Sequence, residues 1–316
     1  MGVEMLDHRW PGNLTAWLRE NGARLDHVMI NRPNIANSVL SVVRTYTHAI
    51  VSFYGHDLHF ARLRRQALYA ETPRHAAKFL AKATASEKIE RRVWDQVDLV
   101  LYPSVTETQL VQEIAPWTTA RTITPFYFPI APQRTTPPAE RTLLFVAGSA
   151  HFPNVDAARF LINEIMPVLE DMMGPVNVIL AGSNPAQVVR ALAGPRVEVT
   201  GSISEEQLRD LYQQARVAVV PLRIGAGVKG KVVEALSYGV PLVTTHVGVQ
   251  GMAGLEAIIP VHEAPDAIAR ALANLLQDDD VWVAQVRAQR NFAQDHFSFA
   301  VMQKSVLDAF KPVGAN

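Results

Sequence analysis

The sequence predicts an α/β protein of two parallel-sheet domains, and three observations predict it. Short apolar runs of strand length alternate with stretches of helical periodicity, the signature of βα units. The run Val217–Leu222 is apolar throughout, as a parallel strand covered on both faces must be. A proline cluster (Pro125, Pro129, Pro132, Pro137, Pro138) separates one strand–helix series from the next. The length of 316 residues corresponds to about two domains.

Each element follows in order. Leu14–Asn21 is an amphipathic stretch after the turn Trp10-Pro11-Gly12, and Gly22 stops it. Strand Leu25–Asn31, helix Ile35–Thr45 and strand Ala49–Tyr54 come next, then the polar cluster Gly55-His56-Asp57-Leu58-His59. Arg62–Trp94 is helical in pattern with a break at Pro73; strand Leu99–Pro103, helix Glu107–Ile114 and strand Thr119–Thr124 complete the first half. In the second half the spacing predicts strands at Leu143–Ala147, Val176–Ala181, Val197–Thr200, Val217–Leu222, Pro241–Thr245 and Ile258–Val261. Helices are expected at Val155–Asp171, Pro185–Leu192, Glu205–Ala215, Lys231–Tyr238, Ala267–Gln277, Val281–Asp295 and Phe299–Phe310. Three strands exit into Gly148-Ser149, Gly182-Ser183 and Gly201-Ser202, which marks the ligand-facing edge of an open α/β sheet. Phe152, Phe160 and Leu161 are assigned to the core.

Composition narrows the function classes. Hydrophobic residues make up 48% and charged residues 19%, enough apolar side chains for sizeable cores. Thirty basic residues balance thirty acidic ones, so no global field points to nucleic acid. With no cysteine, disulfides, thiolate metal sites and cysteine nucleophiles are excluded. No apolar run approaches the roughly 20 residues that span a bilayer, and Glu4 and Asp7 argue against a signal peptide. The expected location is the cytoplasm.

The densest chemistry lies in Val217–Gly251. Gly225, Gly227 and Gly230 follow an apolar strand, with Arg223, Lys229 and Lys231 among them, and a helix begins at once. Glycines let backbone N–H groups approach a ligand, and a helix start favours an anion. Several cations in one turn suit a diphosphate. Read literally, Gly225–Gly230 is a GxGxxG dinucleotide fingerprint. A dinucleotide site also wants an acid about 20 residues later on the ribose, but the next strand ends Thr244-Thr245-His246.

The stretch PLRIGAGVKGKVVEALSYGVPLVTTHVGVQG (221–251) resembles the donor half of GT-B glycosyltransferases, specifically glycosyltransferase family 4 (glycosyl transferases group 1). It is preceded in the same order by LLFVAGSAHFPNVDAARFLINEIMPVL (143–169) and VEVTGSISEEQLRDLYQQARVAVVP (197–221). Weaker likeness extends to 53–67 and 97–111. The resemblance implies two Rossmann-like domains with parallel sheets facing a cleft, the N-terminal one shortened. It also implies a nucleoside diphosphate sugar held mostly by the C-terminal domain. Glu234 would take the ribose hydroxyls, and Lys231 and Lys229, with Arg223 nearby, would neutralise the pyrophosphate. Backbone donors would come from the loop that includes Gly225, Gly227 and Val228. Gly201, Ser202 and Ile203 would lie against the nucleobase, with Gly182 opening room for it, and Gly148 and Ser149 would face the cleft. Asn154 is assigned either to the donor or to capping the helix from Val155. The chain departs from the family at Ala226, where a first glutamate is common, and at Ser149–Asn154, where an Arg/Lys pair is common.

By the same resemblance His56 and Asp57 are catalytic, with Lys231, at the donor-sugar side, and neither a metal nor a cofactor is expected. A polar strand-end cluster is the plainer reading, and a metal set from His56, Asp57 and His59 is disfavoured by its crowded spacing. Arg62–Arg92 is rich in basic residues, which suggests peripheral contact with the inner membrane face, against the plainer reading of a solvated helix face. The expected organisation is an acceptor-side domain over 1–130, a linker over 131–141, a donor domain over 142–296 and a C-terminal helix over 297–316 packing back on the first domain. The expected activity is hexosyltransferase-like: retaining, metal-independent transfer to a glycan, lipid-linked or small-molecule hydroxyl, in polysaccharide or glycoconjugate synthesis. The alternatives are a catalytically silent nucleotide-sugar-binding module or fragment, and, less favoured, a sugar-nucleotide epimerase.

Overall fold

A computed structural model of the chain describes residues 6, 12–70, 72–124, 127–148 and 151–311. The expected turn at Trp10-Pro11 and residue Ser149 lie outside the described residues. The chain divides into two compact units, Met1–Thr122 and Ile123–Asn316.

The first unit runs α1 (Leu14–Asn21), β1 (His27–Asn31), α2 (Pro33–Tyr46), β2 (Ile50–Tyr54), α3 (His59–Leu68), α4 (Pro73–Trp94), β3 (Leu99–Tyr102), α5 (Val105–Ile114) and β4 (Ala120–Thr122). Its four strands are parallel and lie in the order β1-β2-β3-β4. Val51, Phe53, Val100 and Tyr102 form a core with Leu40 and Val43 of α2, Trp94 of α4 and Val111 of α5. The expected break at Pro73 is a helix start: Thr72 accepts the N–H of His75 at 3.2 Å, and proline fits the first turn, where its missing donor is no loss.

The second unit runs β5 (Thr142–Val146), α6 (Phe152–Phe160), a π-helical turn (Leu161–Ile165), α7 (Met166–Met173), β6 (Asn177–Ala181), α8 (Gln187–Arg190), β7 (Val197–Gly201), α9 (Glu205–Gln214), β8 (Val217–Val220), α10 (Gly230–Ser237), β9 (Leu242–Thr244), α11 (Pro265–Gln277), α12 (Asp279–Phe297) and α13 (Phe299–Ala309). Its five strands are parallel in the order β7-β6-β5-β8-β9, a doubly wound sheet whose order reverses between β5 and β8. Leu143, Phe145, Val178, Leu180, Val217 and Val219 are buried in its core. At the β9 edge α12 supplies the missing ladder. Gln289, fully buried, accepts the N–H of Leu242 at 2.9 Å and donates to Val240 O at 2.9 Å; Gln285 donates to Leu242 O at 2.9 Å.

Three expectations change. The helix expected over 155–171 starts at Phe152 and loosens into a π turn just before Pro167, whose ring cannot continue a regular α-helical ladder. Ile258–Val261 is not a strand but a single bridge from Val261 to Thr244, because Pro260 offers no donor. Phe152 is 42% exposed rather than core, while Phe160 and Leu161 are buried as expected. The proline-rich segment is bound into the second unit: Phe128 and Ile130 pack on its core, and Ala131 N–H donates to Ser237 O at 2.8 Å. Arg134 donates to Gln213 O at 2.9 Å at the end of α9, with its guanidinium over the ring of Trp282. The helix α13 belongs to this unit, where Ser305 accepts the N–H of Thr124 at 2.8 Å.

Candidate functional site

The carboxyl ends of β5 and β8 flank the point where strand order reverses, the place where doubly wound sheets bind ligands. The loop after β8 leads through Gly225, Gly227 and Val228 to Lys229, the residue that precedes α10. Gly227 adopts φ 70°, a left-handed turn that a side chain would resist. The ammonium of Lys229 turns back onto this loop, donating to Ala226 O at 2.9 Å and Gly227 O at 2.5 Å.

Lys231 and Glu234 lie one turn apart on α10 and therefore share a face. Lys231 Nζ donates to Asn154 Oδ1 at 2.7 Å and sits 5.0 Å from the centroid of Phe145. Burial, then the charge of Lys229, lowers its pKa to about 7, with Glu234 opposing. Glu234 Oε2 accepts a hydrogen bond from the Tyr212 hydroxyl at 2.9 Å; burial raises the Glu234 pKa, against Tyr212 and Lys231.

Asn154 does not cap a helix. It sits inside the first turn of α6, donates to Gly148 O at 2.6 Å, and thereby links the end of β5 to Lys231. Arg223 is placed differently from the lysines: its guanidinium is paired with Asp156 at 2.6 Å, reaches Glu164 at 3.4 Å and lies over Phe160. Its charge is thus largely matched by carboxylates of the 152–165 segment.

At the ends of β6 and β7 a recess of about 330 Å³ is lined by Asn184, Pro185, Arg190, Val199, Thr200, Gly201 and Ser202. Gly201 and Ser202, expected from the resemblance to lie against a nucleobase, line this recess, whereas Ile203 and Val228 pack partly buried against the core. Gly182 has a different reason to be glycine: a Cβ there would overlap the backbone of Ala147, so it permits two strand ends to approach. A larger groove of about 790 Å³, lined by Glu140, Thr142, Asn177 and Arg196, lies at the amino ends of β5 and β6, away from this chemistry.

In the first unit, His56 and Asp57 occupy the turn between β2 and α3. The ring of His56 packs edge-on against Tyr54, and its pKa is lowered by partial burial and by Arg32. Asp57 is ion-paired with Arg62 at 2.7 Å and lies 3.2 Å from His59 Nε2. Two buried carboxylates hold the start of α3. Glu107 accepts Leu58 N–H at 3.1 Å, and Glu90 accepts His59 N–H and Phe60 N–H, each at 3.1 Å. These bonds let the helix begin at His59, earlier than the periodicity indicated. Sequence reasoning missed Tyr212 and Glu90. The signals were the lone aromatic of a polar helix and one of two acids, Glu87 and Glu90, in a basic one.

Among the described residues no three His, Asp or Glu side chains form a metal-binding group, and no helix is long and apolar enough to cross a membrane.

Residues 140–278 match the sequence model of the glycosyl transferases group 1 family. No curated protein matches the chain. Among solved structures, Staphylococcus aureus TarM in complex with fondaparinux, alpha-GlcNAc-glycerol and UDP aligns with a TM-score of 0.71 at 12% identity, over 94% of this chain and 58% of that one. The pneumococcal O-GlcNAc transferase GtfA in complex with UDP and GlcNAc gives 0.68 at 15% identity, over 94% and 59%. Sucrose-phosphate synthase from Thermosynechococcus elongatus gives 0.69 at 18%, over 90% and 73%. The chain thus spans little more than half the length of TarM and GtfA. Its fold is that of the GT-B glycosyltransferases, two parallel-sheet Rossmann-like units, and its residues 140–278 match the glycosyl transferases group 1 domain.

Proposed function

We propose that the chain transfers a glycosyl unit from a nucleoside diphosphate sugar to an acceptor hydroxyl, with retention and without a metal, as a member of glycosyltransferase family 4. The observation that carries this reading is the pairing of Lys231 and Glu234 on one face of α10, beside the glycine loop and the β5 end. Lys231 and Lys229 neutralise the diphosphate as it leaves, charge stabilisation at the point where charge develops. Glu234 accepts the ribose hydroxyls, and the recess at Gly201 and Ser202 receives the base. UDP in the TarM and GtfA complexes favours uridine as that base. His56 and Asp57 act in turnover rather than in donor affinity.

The same reading places the protein in the cytoplasm, with a glycan or lipid-linked acceptor. Leu68, Tyr69 and Leu80 are exposed, as are Arg74, Lys78 and Lys82 of α4, a mixture that suits an anionic lipid surface. Sedimentation with anionic vesicles, reduced by Lys78→Glu with Lys82→Glu, is the expected result.

The test of the main reading is release of UDP from UDP-sugars in the presence of candidate acceptors. Turnover that Glu234→Ala lowers chiefly through KM, and His56→Ala chiefly through kcat, supports the assignment. Binding of UDP without turnover by the intact chain would leave a nucleotide-sugar-binding module.

A further inference from the structure

Tyr212 is 1% exposed, although it lies in a helix whose sequence, EEQLRDLYQQ, is otherwise mostly polar. Its ring stacks on Tyr238, with centroids 4.6 Å apart and planes 14° apart. The carbonyl of Tyr212 accepts from Arg134 at 3.3 Å, which ties α9 to the segment before β5. Stacking thus holds the ring, and the Arg134 bond holds the backbone that carries it. Its hydroxyl donates to Glu234 Oε2 at 2.9 Å.

A carboxylate has two oxygens and about four acceptor sites. With Oε2 engaged by one buried donor, the plane of the Glu234 carboxylate is set, and Oε1 remains for a ligand. Burial raises the Glu234 pKa; Lys231, one helical turn away on the same face, lowers it through its charge, while its ammonium donates to Asn154 Oδ1. Burial raises the phenol's pKa well above its ordinary value, so Tyr212 remains a donor across the working pH range.

We propose that Tyr212 is a positioning residue: its hydroxyl holds the Glu234 carboxylate in the orientation that accepts the ribose hydroxyls of a nucleoside diphosphate, making the site selective for ribose over deoxyribose. The inference rests on the donor-site reading above. Tyr212 does not touch the ligand; it acts through Glu234.

The experiment is calorimetric titration of the full chain with UDP, 2′,3′-dideoxyuridine diphosphate and inorganic pyrophosphate. It compares the wild type with Tyr212→Phe, which keeps the ring and its stacking, and with Glu234→Ala. The wild type is expected to prefer UDP to the dideoxy compound by tenfold or more. Tyr212→Phe should weaken UDP roughly tenfold, the scale of one hydrogen bond to a charged group, and leave the dideoxy compound and pyrophosphate unchanged. Equal weakening of UDP and its dideoxy analogue in Tyr212→Phe would mean a structural role and overturn the proposal. So would an unchanged Tyr212→Phe beside a weakened Glu234→Ala. Should Tyr212→Phe fail to fold, equal affinity of the wild type for UDP and the dideoxy compound would by itself overturn the proposal. An indifferent Glu234→Ala, or no UDP binding by the wild type, would remove the donor-site reading beneath it.

Discussion

Lys231 Nζ donates to Asn154 Oδ1 at 2.7 Å, joining the first turn of α10 to the first turn of α6. Because Asn154 also donates to Gly148 O at 2.6 Å, the cation is fixed to the exit of the central strand. An amide is a neutral partner. It orients the ammonium without cancelling its charge, which leaves that charge for an anionic ligand. Asn154→Ala is expected to weaken nucleoside diphosphate binding roughly three- to tenfold, the range of one lost orienting hydrogen bond, and titration calorimetry measures it.

Lys231 also sets a pH dependence. Burial and the neighbouring Lys229 lower its pKa to about 7, so near neutrality the ligand-free site is partly deprotonated. A diphosphate favours the protonated form and raises that pKa. Binding should therefore take up protons, and affinity should fall as pH rises through 7 and beyond. Calorimetry in two buffers of different ionisation enthalpy, at pH 7.5, counts the protons. Lys231→Arg, which stays charged, is expected to abolish the uptake.

Glu90 gives the first unit its own pH signature. Burial raises its pKa to about 7, against the N–H groups of Phe60 and His59 and the hydroxyl of Ser86. A carboxyl whose folded pKa lies above its unfolded value contributes most below the unfolded pKa, and that contribution is lost as pH rises through the folded one. Stability of the first unit should therefore decline between about pH 4.5 and 7. Glu90→Ala leaves two helix-start N–H groups without their acceptor and should cost about 2–4 kcal/mol in urea unfolding.

Much of this was legible because it is local. The βα alternation, the break at Pro73, and the placement of Lys231 and Glu234 on one helix face all follow from short-range spacing. What the sequence hid depends on partners far along the chain. Asn154 looks like a helix cap until Lys231, 77 residues away, is brought to it. Arg223 looks like a phosphate ligand until Asp156, 67 residues away, pairs with it. Tyr212 goes unnoticed, because no local pattern reveals that its hydroxyl meets Glu234.

The β9 edge offers a test of the fold alone. Gln289 is fully buried and satisfies Leu242 N–H and Val240 O with a single side chain. Gln289→Leu strands both backbone groups and should cost about 2–4 kcal/mol in denaturant unfolding of the second unit. Gln289→Glu keeps the acceptor but removes the donor, and should also destabilise.

The most direct test of the donor site is parallel calorimetric titration of the intact chain with UDP, GDP, ADP and NAD, without added metal. The account predicts binding of a nucleoside diphosphate, UDP first among them, lost in Lys231→Ala. Binding of NAD alone would contradict it, for then the Gly225–Gly230 loop is a dinucleotide fingerprint. Binding of UDP that survives Lys231→Ala unchanged would contradict it as well, by placing the diphosphate somewhere other than α10.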